Sequence, residues 1–197
     1  MHHGILALVQ LVGYPGVAAM VFLESGVPFG FVLPGSSMLF TAGLLSAQQI
    51  FSPWILIPLV TLAAVAGDSV GYWFGSYVGV RLFLRPDSRF FKHEYLEDAK
   101  QFYDRYGRQA VVLGRFVPIV RTFIPIVAGI VQMPYASFLA YNVVGAIVWA
   151  AGVTLAGYWL GNIPIIQQYF SPILIGIVMV SCLPILWKTF RRKAQKA

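Results

Sequence analysis

The chain has 197 residues, 58% of them hydrophobic and 11% charged, with a net charge of +7. Soluble domains run near a quarter charged, so this charge content and a mean hydropathy of +0.75 exclude an ordinary soluble domain and predict an all-α polytopic membrane protein. The positive charge lies beside apolar runs, at 81–108 and in the tail; such clusters mark cytoplasmic loops and attract anionic lipid, and no module for nucleic acid accompanies them.

Residues 1–22 form an N-terminal helix whose apolar stretch is interrupted by Gly13, Pro15 and Gly16; it fits a short span or a helix lying in the interface. Residues 23–46, "LESGVPFGFVLPGSSMLFTAGLLS", are hydrophobic but rich in Gly and Pro. They are predicted as a re-entrant hairpin broken at Pro28 and Pro34. Residues 53–80 are long enough to cross a bilayer, which takes about 20 apolar residues. At 87–108 the spacing of Phe91, Tyr95, Ala99, Phe102 and Tyr106 puts an apolar stripe on one helical face. An amphipathic helix in the membrane interface is favoured over a solvated helix packed on a partner. Residues 110–134 contain "GRFVPIVRTFIP", read as a second re-entrant hairpin with breaks at Pro118 and Pro125. Two further spans are expected at 136–162 and 165–187, then a basic tail at 188–197. The lone cysteine, Cys182, can form no internal disulfide and belongs to no zinc-binding spacing. No metal or cofactor is expected, and the N-terminus lacks the basic region of a cleavable leader.

The chain repeats itself. "TAGLL" at 41–45 is similar to "VAGIV" at 127–131, and "GYWFG" at 71–75 to "GYWLG" at 157–161. Both matches share one offset, so each half reads as a broken apolar segment followed by a span. Basic loops face the cytoplasm. If the central stretch and the tail are both inside, the spans 136–162 and 165–187 account for both crossings between them. Segment 110–134 must then enter and leave on the cytoplasmic side, while 23–46 dips in from the outer face. Two similar broken hairpins entering from opposite faces form an inverted repeat, the pattern of secondary transporters.

Four ionisable residues lie inside apolar segments: Glu24, Asp68, Arg115 and Arg121. Such residues are costly in a bilayer and rarely face lipid. Arg115 and Arg121 are six positions apart, a rotation of about 240° on a straight helix, so only a break between them lets them converge. Guanidinium groups bind phosphate bidentately and stay charged when desolvated. Glu24 and Asp68 suit proton coupling or gating. Buried ion pairs that pin helices account for the same residues.

Together "FLESGVPFGFVLPG", "GDSVGYWFG", "FFKHEYLEDAKQFYDRYG" and "GRFVPIVRTFIPIVAG" resemble the DedA family of bacterial inner-membrane proteins, over about residues 20–165. The resemblance implies a lipid-transport fold with two opposed re-entrant hairpins, shared with eukaryotic lipid scramblases. It links the chain to membrane-potential or proton-dependent physiology and to recycling of undecaprenyl phosphate. It assigns the essential acid of the "FLE" motif to Glu24, the paired arginines to Arg115 and Arg121, and the "GD" aspartate to Asp68. Family members often carry an acid after "LPG"; here Ser36 stands there, which puts coupling through two carboxylates in doubt.

The expected function is therefore a lipid-phosphate translocase of the bacterial inner membrane, multi-pass with a cytoplasmic C-terminus, moving undecaprenyl phosphate. The expected partners are a phosphate-headed lipid and the bilayer, without nucleic acid; a homo-oligomer is left open. The alternatives are a broad phospholipid scramblase without ion coupling and a structural scaffold. An enzyme is disfavoured, because the only histidines, His2, His3 and His93, lie outside clear spans.

Overall fold

A computed structural model describes residues 2–27, 35–78, 93–164 and 166. Pro28, Pro34, nearly all of the expected span at 165–187 and the tail at 188–197 lie outside the described residues. Those described are helical apart from short turns: α1 His2–Gly26, α2 Gly35–Ala47, α3 Pro53–Val78, α4 His93–Tyr106, α5 Ala110–Leu113, α6 Pro118–Ile130 and α7 Tyr135–Gly161. Among them, α3 and α7 are long and apolar enough to cross a bilayer.

Helix α1 corrects the expectation at two points. It runs unbroken through Pro15, because a proline removes one backbone bond and packing on α3 holds the helix across the gap. It also continues to Gly26, and the Val27 N–H still bonds the Leu23 carbonyl at 3.2 Å. Glu24 therefore sits on the last turn of the N-terminal helix. The start of α3 is tied back to α1, where the Ser52 N–H donates to the Tyr14 hydroxyl at 2.7 Å.

Two chain segments are built alike. Helices α2 and α6 each have 13 residues, and each precedes a long helix, of 26 residues in α3 and 27 in α7. Both short helices end on a glutamine in the left-handed region, Gln49 at φ 62° and Gln132 at φ 54°. At the first end the Gln49 N–H bonds the Ser46 carbonyl and the Ile50 N–H the Leu45 carbonyl. At the second the Gln132 N–H bonds the Gly129 carbonyl and the Met133 N–H the Ala128 carbonyl. This is the double C-terminal bond of a Schellman motif.

The short helices pack crosswise, α2 on α7 and α6 on α3. Glycines make both contacts close: a Cβ on Gly43 would lie 3.2 Å from the Gly157 Cα, and one on Gly129 3.1 Å from the Gly75 carbonyl carbon. Small residues allow this approach in membrane helices, where packing replaces the hydrophobic effect as the driving force. One buried cluster joins α1, α2, α3 and α7 around Val21, Leu39, Val60 and Ala150. The other joins α3, α5, α6 and α7 around Tyr72, Phe123 and Phe138. Helix α4 docks on α6, with Phe102 and Tyr103 packed against the second cluster. At least this part of its apolar side faces protein.

The outer faces of the long helices are apolar. Leu62 and Val70 on α3, and Val144, Ile147 and Val148 on α7, are exposed. On α3, exposed Trp54 and Trp73 are 19 residues apart, about 28 Å along a helix. That is close to the thickness of a hydrocarbon core, about 30 Å.

Candidate functional site

The site is organised by a break in the chain. After α5, Gly114–Phe116 forms a 3-10 turn. Val117 is then extended, at φ −109° and ψ 111°, and α6 starts at Pro118. A residue before proline is pushed out of the helical region, and proline suits the first helical position because its missing N–H would be unpaired there. Pro125 does not break the chain; it lies inside α6, and its ring packs by Gly71 of α3. The expected second break is corrected accordingly. The single break lies between Arg115 and Arg121, so the two side chains escape the helical rotation that would separate them.

All four intramembrane charges are buried, with 4–8% of each residue exposed. They form two ion pairs. Arg115 Nη2 donates to Asp68 Oδ2 and to Asn142 Oδ1, and Asn142 is itself placed by its Nδ2 donating to the Val65 carbonyl at 3.4 Å. A Cβ on Gly145 would stand 3.0 Å from Arg115 Cδ, so glycine lets this side chain cross α7. In the second pair Arg121 Nη1 lies 3.3 Å from Glu24 Oε1. The Ser36 hydroxyl bridges them, donating to Glu24 Oε1 at 2.9 Å and accepting from Arg121 Nη1 at 2.8 Å. The Arg121 guanidinium also lies 4.5 Å from the centre of the Trp149 ring, a cation–π contact. Glu24 rests against the start of α2, where a Cβ on Gly35 would overlap its carboxylate; the positive end of a helix favours an anion.

Glu24, Ser36, Arg115, Arg121 and Trp149 line one cavity of ≈380 Å³, walled otherwise by apolar side chains including Phe40, Phe116 and Val153. Asp68 lies behind Arg115. Hydrogen-bonding capacity is left over: Arg121 Nη2, Arg115 Nε and Glu24 Oε2 are buried without a partner among the described residues. Two positive and two negative charges balance, so an incoming anion must compete with a carboxylate for a guanidinium.

Three residues of the cluster were not singled out as site residues by sequence reasoning. Asn142 carried a usable signal, since a lone amide in "FLAYNVVGAIVW" is as conspicuous as a charge. Ser36 stood out only as a departure from the family pattern. Trp149 gave no signal, because an aromatic residue in a span is unexceptional.

The VTT domain matches residues 33–159. The chain belongs to the DedA family. It is 41% identical over 180 residues to Protein DedA of Escherichia coli K12, covering 90% of this chain and 82% of that protein. It is 47% identical over 174 residues to an uncharacterized membrane protein of Mycobacterium tuberculosis H37Rv, covering 87% and 76%. A Mycobacterium leprae protein of the same description is 41% identical over 186 residues, covering 93% and 83%. No solved structure matches the chain. In this DedA-family membrane protein the VTT match contains Ser36, Asp68, Arg115, Arg121, Asn142 and Trp149, whereas Glu24 precedes it.

Proposed function

We propose that this DedA-family protein translocates phosphate-headed lipids across the bacterial inner membrane, with undecaprenyl phosphate as substrate. The observation that carries the reading is the cavity: two nine-tenths-buried arginines, with unspent donors, at the polar end of an otherwise apolar chamber. A phosphate headgroup would pair with Arg121 and displace the longer, serine-bridged contact to Glu24, while the lipid tail stays in apolar surroundings. Glu24 and Asp68 would then gate the site or carry protons. The chain break before α6, the twin glutamine caps and the crossed packing support two re-entrant elements in an inverted repeat, entered from opposite faces. On this reading α4 lies at the cytoplasmic interface and the C-terminus is cytoplasmic. The substrate choice rests on the family resemblance. The chain is not an enzyme on this reading; its arginines bind and release.

A broad phospholipid scramblase without ion coupling is the second reading. Ser36, a neutral hydroxyl in the acid's place, favours it. So do the leftover acceptor on Glu24 and donor on Arg121, which suit an ammonium and a phosphate together.

Proteoliposomes carrying undecaprenyl phosphate test both. Headgroups that reach the outer leaflet become accessible to an impermeant phosphatase added outside. Arg121→Ala, assayed as folded protein in detergent, is expected to slow their appearance about tenfold or more. Undiminished movement in Arg121→Ala and in the Arg115→Ala, Arg121→Ala double variant overturns the phosphate site. Movement of phosphatidylethanolamine at the same rate, indifferent to a pH gradient, selects the scramblase.

A further inference from the structure

We infer that the charged cavity opens sideways into the bilayer at Gly152, and that the apolar chain of an anionic-headed lipid leaves the protein there. The inference rests on the translocase reading and gives that site its route.

Helices α2 and α7 are sealed along one stretch, where a Cβ on Gly157 would stand 3.1 Å from the Gly43 Cα and one on Gly161 3.3 Å from the Leu44 Cα. The seal does not reach Gly152. That residue is exposed, and a Cβ on it would meet nothing within 4 Å among the described residues, yet it lines the cavity with Arg121 and Glu24. Val148, Gly152 and Ala156 recur every four residues on α7, so they share one helical face. Val148 and Phe116, 51% and 58% exposed, lie at the cavity and at the protein surface together. The chamber is thus charged at its inner end and apolar at its mouth. An amphiphile with its headgroup at the arginines and its tail across Gly152 satisfies both ends, whereas a free phosphate ion would have to cross an apolar mouth.

The open space at Gly152 suits the test, because the first added carbon meets no neighbour within 4 Å among the described residues. In the phosphatase assay, Gly152→Ala, Gly152→Leu and Gly152→Trp are expected to slow lipid movement in that order, reaching about tenfold or more for tryptophan, with thermal midpoints no lower than the parent's. Ile147→Trp places the same side chain at another exposed α7 position, about 140° round the helix, and is expected to leave movement unchanged. Parental rates in Gly152→Trp overturn the opening and leave the translocase standing. Parent protein that takes up inorganic phosphate but moves no lipid overturns both. Should Gly152→Trp fail to fold, the alanine-to-leucine step decides: a decline supports the opening, and equal rates overturn it.

Discussion

The two buried arginines are held differently, and this sets what each does. Arg115 is fixed by Asp68 and Asn142. Arg121 is held by a hydroxyl, a 3.3 Å carboxylate contact and a ring face. Removing one member of a buried pair strands the other charge, at a cost of roughly 3–5 kcal/mol. Asp68→Ala is therefore expected to lower unfolding free energy by about that amount, measured by denaturant titration in detergent. Combining it with Arg115→Ala should lose less than the two single changes summed, the signature of direct coupling; strict additivity would refute the pairing. At this scale the sequence exposed the four charges, since an ionisable residue in an apolar run is visible by contrast. It did not show which carboxylate meets which arginine, because the partners are 47 and 97 positions apart and meet only through helix packing.

At the scale of elements, the chain break before α6 and the glutamine caps carry the architecture. The prolines marked the neighbourhood of the break, but proline breaks a helix only where no neighbour compensates. Pro118 starts a helix and Pro125 is carried inside one. The caps were invisible in the sequence, since glutamine is an unusual occupant of the left-handed region. Glycine adopts that conformation without a Cβ penalty. Gln49→Gly is therefore expected to stabilise the protein by about 0.5–1 kcal/mol, read as a raised thermal midpoint. A lowered midpoint would mean that the glutamine side chain holds the turn.

For the whole molecule, the decisive arrangement is crossed packing, with the short helix of each half seated on the long helix of the other. The inverted-repeat proposal fixes the sidedness of each turn. In a Cys182→Ser background, a cysteine at exposed Gln49 is expected to react with an impermeant maleimide from outside the cell. Cysteines at exposed Arg108 and Gln132 should react only after permeabilisation. Labelling of Gln49 and Gln132 from the same side would refute opposed entry.

The sequence by itself determined the solvent of this protein, its helical class, the family and the four charges, because hydropathy, periodicity and misplaced charge are local properties of the chain. Only the tertiary structure decided that Glu24 ends a long helix, that Ser36 bridges an ion pair and that Trp149 and Asn142 position the arginines. It also put the exposed Gly152 in the wall of the charged cavity. Each of these depends on which helix faces which, and that is set by packing between segments far apart in the chain.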